Sequence, residues 1–172
     1  ASVYEGFRLI GEHEMQETVT AGTTWVNGAT TLKAFGKARE ALPYYESAFR
    51  VYGQLLDPSD YRFAGLLNNM ALTYVDLGEF DKAEAYYGKA MQIIGGLPDG
   101  GMEMAVTYVN LACLWDERGK AAGRPFDERI DECLDKAWKY LDDPRAKRDS
   151  YYAFTCRKCA GTFGYFGRFR IK

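Results

Sequence analysis

The sequence predicts an all-helical solenoid, and three observations carry that reading. The stretch "NMALTYVDLGEFDKAEAYYGKAMQII" at 69–94 has an upstream copy, "NGATTLKAFGKAREALPYYESAFRVY" at 27–52. Ala29 answers Ala71, Gly36 answers Gly78, Ala41 answers Ala83, Tyr45 answers Tyr87 and Ala48 answers Ala90, every offset being 42. Each copy reads as two amphipathic helices separated by a glycine, with small residues where helices approach closely and aromatics such as Tyr74, Phe80 and Tyr87 filling the wedge between them. One such hairpin cannot bury its own apolar face, so copies must stack on one another.

Taken in order along the chain, "GFRLIG" at 6–11 aligns with "AFRVYG" at 48–53 and marks residues 1–16 as a half-repeat, the second helix of a pair. Complete pairs follow over about 17–58, 59–99 and 100–145. In the third, Asn110, Ala112 and Gly119 open the copy, and Ile130 and Ala137 stand in for Ala83 and Ala90 with the same separation of 7. Gly119 to Ile130 spans 11 residues where Gly78 to Ala83 spans 5, and the extra "AAGRPF" reads as a lengthened surface turn, which loops tolerate at little entropic cost. Residues 146–172 form a closing half-repeat: in "CAGTFGYFGRF", Ala160 answers Ala71, Phe163 answers Tyr74, Gly167 answers Gly78 and Phe169 answers Phe80. Between the last two units, "DDPRAKRD" at 142–149 reads as a solvated turn, with Pro144 ending one helix and Asp149 or Ser150 capping the next.

Composition narrows the function classes. The 172 residues are 47% hydrophobic and 27% charged, enough apolar mass for a core in one domain spanning 1–172. Net charge is −2, so no global positive field draws nucleic acid or an anionic membrane surface, and no apolar run is long enough to span a bilayer. A single histidine, His13, excludes most Ser–His–Asp, Cys–His and multi-histidine metal arrangements. The four cysteines, Cys113, Cys133, Cys156 and Cys159, are too unevenly spaced for a secreted disulfide framework and favour a reducing cytoplasm.

The small alanines, Tyr74, "LGEFDKA", Tyr87 and Ala90 resemble the tetratricopeptide repeat, and Trp25 with Ala29 supplies that family's opening tryptophan in the first copy. The long period and the "NNMALTY" run are closer to the repeats of kinesin light chain. The resemblance implies a right-handed superhelix of antiparallel helix pairs and a non-enzymatic protein-protein interaction module without cofactor. It also implies that the first helix of each pair lines a concave, ligand-facing surface.

Register decides the meaning of the CxxC at 156–159. Cys159 corresponds to Met70 and Cys156 to Leu67, both on the apolar face, where a free thiol acts as a small hydrophobe. A closed zinc site needs four ligands, and even with Cys133 as a third no fourth is visible, so no metal is expected.

Two residues before each small alanine stands an asparagine: Asn27, Asn69 and Asn110. Such a row offers donors and acceptors to both the N–H and C=O of an extended backbone, and similar ladders occur in the long-repeat members of the family. The alternative is that these amides bridge neighbouring helices. Val26, Thr30 and Lys33 surround the row in the first pair, Asn68, Leu72 and Val75 in the second, and Val109, Cys113 and Asp116 in the third. Lys158 breaks the row in the last unit and, with Arg157, forms a cationic end suited to an acidic or terminal carboxylate. The family's chaperone-binding carboxylate clamp needs a Lys and an Asn where Val26 and Thr30 stand, which argues against a chaperone-tail adaptor.

Other features read as packing. In the pairs Tyr44–Tyr45 and Tyr86–Tyr87 the second tyrosine falls on the core position. The basic, aromatic C-terminal stretch suggests nucleic acid, but the helical spacing of Phe163, Phe166 and Phe169 points to an apolar face. With no following helix, those three phenylalanines form an expected assembly face, docking a second copy two-fold or head to tail. The expected function is peptide or protein-segment binding on the concave face. The alternatives are a self-assembling scaffold and the peptide-sensing domain of a bacterial regulator.

Overall fold

The computed structural model describes residues 2–12, 18–124 and 127–167, and these form eight α-helices and no strand. Consecutive helices pack as pairs, the all-α architecture expected from the repeat. The chain divides into two compact units, residues 1–93 and 94–172.

The first unit holds α1 (Val3–Glu12), α2 (Val19–Ala34), α3 (Ala38–Leu55), α4 (Tyr61–Asp76) and most of α5 (Phe80–Gly95). The Thr18 hydroxyl caps α2 by accepting the Ala21 N–H at 3.1 Å. The Asp60 carboxylate caps α4, taking the Arg62 N–H at 2.9 Å and its guanidinium Nε at 3.0 Å. Both helix pairs reverse through a glycine in the left-handed region, Gly36 at φ 77° and Gly78 at φ 74°, where a side chain would be strained. The seam alanines are fully enclosed: Ala29, Ala41 and Ala48 in one pair, Ala71, Ala83 and Ala90 in the other, each 0% exposed. Their methyl-sized side chains let the helices close on Tyr45 and Tyr87, large rings whose full burial each contributes on the order of 2 kcal/mol. Tyr74 stacks on Tyr86 across α4 and α5 at 5.3 Å, and Phe63 meets the edges of Phe49 and Tyr52 across α3 and α4. At the other flank, Phe7 of α1 stacks on Tyr44 at 3.8 Å and the Tyr4 hydroxyl donates to Glu40.

The second unit holds α6 (Gly101–Ala121), α7 (Glu128–Leu141) and α8 (Ser150–Tyr165). Gly119, aligned with the turn glycines, does not turn the chain. The helix runs through it to Ala121, and the left-handed residue is Gly123, at φ 68°. The inserted "AAG" supplies good helix formers and its own glycine, so the insertion lengthens α6 before making the turn. Gly119 is nonetheless constrained, because a Cβ there would lie 2.4 Å from the Arg124 carbonyl oxygen. Asp127 caps α7 through the Arg129 N–H, and Asp149 caps α8 through the Tyr152 N–H. The intervening turn is tied down at one point: the Leu141 carbonyl accepts from Arg148 at 3.0 Å and from the Tyr152 hydroxyl at 2.9 Å. No described helix is long and apolar enough to cross a membrane.

Candidate functional site

The buried alanines fix which way each first helix faces. The side of α2, α4 and α6 that carries the seam alanines is committed to packing, and the asparagines lie off that side.

In the first unit, Asn27 is exposed on α2, and Asn68 and Asn69 are half-buried on α4. Among the described residues the side-chain amides of Asn27 and Asn69 make no hydrogen bond; only their backbone carbonyls accept, from Thr31 and Thr73. Neighbouring polar groups are engaged. Lys33 spans from α2 to Asp76 at the end of α4, at 3.3 Å. The Thr30 hydroxyl bonds the buried Tyr45 hydroxyl at 2.9 Å and donates to the Val26 carbonyl at 2.8 Å. Burial holds the Tyr45 phenol above the usual tyrosine pKa. Val26, Leu72 and Val75 are half-buried between these groups.

In the second unit, Asn110 is half-buried on α6 and its amide likewise has no partner among the described residues. Val109, expected beside it on the open face, is 5% exposed and belongs to the core instead. Cys113 is half-buried, its thiol pKa raised by burial. Two braces join α6 to α8. The Tyr151 hydroxyl donates to Glu103 at 2.8 Å, and Tyr165 donates to Asp116 at 3.1 Å while accepting from Lys120 at 2.8 Å. Lys120 also pairs with Asp116 at 2.7 Å, and the bond to that carboxylate leads the causes that raise the lysine pKa. Arg157 and Lys158 stand exposed on α8 with no ion pair or hydrogen bond among the described residues, one turn beyond Phe154, itself 55% exposed.

Sequence reasoning did not single out Asp76, Phe154, Lys120 or Tyr165. The repeat register holds a signal for two of them. Lys33 and Asp116 are equivalent positions, as are Asp76 and Tyr165, so both cross-helix contacts join the same two positions of adjacent first helices.

The expected assembly face is corrected at one position. Phe163 is 3% exposed, buried like its equivalent Tyr74, and packs edge-on against Trp138 of α7 at 6.4 Å. Phe166 is half-buried against the Tyr165 ring at 4.8 Å, and Phe169 lies outside the described residues, as does His13.

The cysteines are poor nucleophiles. Burial pushes the Cys133 and Cys159 thiols up to about 11 and raises Cys156 as well, so they remain protonated near neutrality. Among the described residues no cluster of His, Cys, Asp or Glu is arranged to hold a metal ion.

Residues 20–94, which span α2 to α5, match the family model of the tetratricopeptide repeat. No curated protein matches the sequence. Among solved structures, BtubC (BKLC) from P. vanneervenii has a similar fold, with a TM-score of 0.67 and 23% sequence identity over 84% of this chain. The chain spans 57% of the length of that neighbour.

Proposed function

Because residues 20–94 are tetratricopeptide repeats, which generally mediate protein-protein interaction, we propose that this chain is a non-enzymatic module whose first-helix faces hold an extended peptide or protein segment. The observation that carries the reading is the state of the asparagines. Asn27, Asn69 and Asn110 recur at the repeat period, and their amides have no partner among the described residues, while polar neighbours such as Thr30 and Lys33 are bonded across helices. An amide that braced the scaffold would be engaged by it. One left to solvent can exchange water for a ligand backbone, at a net gain of about 0.5–1.5 kcal/mol per bond.

The roles follow from placement. On the face of the first unit, Asn27 and Asn69 grip the backbone, Asn68 and Leu72 line the path beside them, and Thr30 and Lys33 shape it through their bonds to Tyr45 and Asp76; on the face of the second unit, Asn110 grips, Cys113 lies beside it, and Arg157 and Lys158 receive charge. Four unbridged thiols accord with a reducing cytoplasm. A second reading, self-assembly through α8, rests on Ala160: it is exposed, whereas its equivalents Ala29, Ala71 and Ala112 are 0% exposed.

Selection from a displayed peptide library, run in parallel on the wild type and an Asn69→Ala, Asn110→Ala double variant, tests the proposal. Enrichment that the variant loses is the expected result. Equal enrichment on both proteins, or none on a folded wild type, overturns the asparagine face.

A further inference from the structure

Helix α8 carries the seam of a first helix, yet no second helix closes on it among the described residues. In α4, the seam positions Ala64, Leu67 and Ala71 are 2%, 3% and 0% exposed. Their equivalents in α8 are Ala153 and Ala160, both exposed, and Cys156, half-buried. Helix α1 presents the complementary case. It aligns with the second helix α3 at an offset of 42, so Tyr45, Ala48 and Val51, each 0% exposed, correspond to Val3, Gly6 and Leu9. Val3 and Gly6 are only half-buried, and Leu9 is 39% exposed. The same chain thus offers an open first-helix seam and an open second-helix seam, the two kinds of surface that close on each other between α2 and α3.

Deepening the self-assembly reading on which it rests, we infer that α1 of a second copy docks antiparallel on α8 and completes a helix pair between two chains. Thr30 of α2 and Tyr45 of α3 meet across the closed seam at 2.9 Å. Their equivalents are Gly161 and Val3, so the register sets Val3 over Gly161, beside Ala160, with Gly6 and Leu9 running on towards Cys156 and Ala153. Small residues on α8 let the incoming helix approach closely, and Leu9 leaves water. Charge selects this occupant. Residues 150–172 hold five bases and no acid, whereas residues 1–17 hold four acids and one base. Beside the two seams, the side chains of Arg157 and Glu5 are exposed, with no ion pair or hydrogen bond among the described residues. Two copies of α8 face to face would set cation against cation, so the contact is head to tail, and a contact of that kind adds further copies or closes a ring.

Sedimentation velocity of the 172-residue chain over a range of protein and salt concentrations tests the inference. The wild type gains mass beyond the monomer as its concentration rises, and the association weakens about tenfold from low to high salt. Two variants separate the modes of contact. Leu9→Lys blocks α1 and leaves α8 open, while Ala160→Glu blocks α8 and leaves α1 open. Each alone stays monomeric, and their equimolar mixture forms a one-to-one dimer that does not grow. Circular dichroism verifies that both variants stay helical, and the mixed dimer shows that each keeps its untouched seam. If Leu9→Lys still self-associates while Ala160→Glu does not, α8 pairs with itself: head-to-tail docking falls and the self-assembly reading stands. A wild type that remains monomeric at every concentration overturns both and leaves peptide binding at the asparagines untouched. A mixture that stays monomeric where the wild type associates, or an association indifferent to salt, also overturns the inference.

Discussion

The first-helix faces of the two units share a register and differ in chemistry. In residues 1–93, α2 and α4 are pinned by Lys33 and Asp76, and the surroundings are threonine and asparagine. In residues 94–172, the equivalent two positions hold Asp116 and Tyr165, a second brace joins Tyr151 to Glu103, and free cations remain. The repeat therefore specifies where neighbouring first helices are pinned and leaves open what pins them. One position accommodates an ion pair in one unit and a phenol on a carboxylate in the other. What each pin consumes decides which charge the face offers.

The largest contrast lies on the packed side of the same helices. Ala71 on α4 is 0% exposed, whereas its equivalent Ala160 on α8 is exposed. Ala71→Leu forces three carbons into a closed seam and costs about 1–3 kcal/mol. Ala160→Leu adds them to open surface and stays within about 0.5 kcal/mol. Guanidinium chloride midpoints followed by circular dichroism compare the two. A matching loss at Ala160 would mean that its side of α8 is covered in solution, and concentration dependence of that loss would identify a second copy as the cover.

These residues also show what the sequence makes legible. The helix pairs could be read because packing writes to single positions: a methyl-sized residue recurs wherever two helices touch, and a glycine wherever the chain reverses. The register failed at Gly119, where an insertion carrying its own glycine satisfies the same turn a few residues later. The register held at Phe163, which is buried like its equivalent Tyr74; what missed was the expectation of an open face there, because α7 already lies against that side and brings Trp138 edge-on to the ring. Much of the site's chemistry was out of reach for a different reason. Which polar groups are already spent depends on pairs separated by 43 residues, Lys33 with Asp76, or 49, Asp116 with Tyr165, on different helices. A sequence shows that Lys33 and Arg157 are cations; only the packing shows that the first is neutralised.

A smaller contrast separates the buried hydroxyl from the exposed one. Tyr45→Phe removes the bond to Thr30 at a side chain that is 0% exposed, costing about 0.5–1.5 kcal/mol. Thr30 keeps its bond to the Val26 carbonyl, which limits the loss. Tyr165→Phe, at a residue 63% exposed, changes stability by no more than about 0.5 kcal/mol. If Tyr165→Phe proved the costlier change, the brace to Asp116 would rank above the buried network, and the two units would exchange places in the comparison.

The smallest effect concerns the Tyr151 brace and shows only at alkaline pH. Partial burial of the phenol, followed by its bond to Glu103, pushes its pKa up to about 12. The charged form of tyrosine is the anion, so a raised folded pKa means that the native protein holds this proton more tightly than the unfolded chain, whose tyrosines titrate near 10. The group's contribution to stability is therefore complete below about pH 10 and is lost as pH rises towards 12. Glu103→Gln removes the carboxylate that repels the phenolate, and brings the Tyr151 titration down while leaving Tyr45, whose raised pKa is led by burial, where it was. Ring-carbon NMR of labelled tyrosine, with Tyr151→Phe to assign the resonance, resolves the two. A Tyr151 midpoint that ignores Glu103→Gln would show that burial alone sets it and that the hydrogen bond between α6 and α8 is not held in solution.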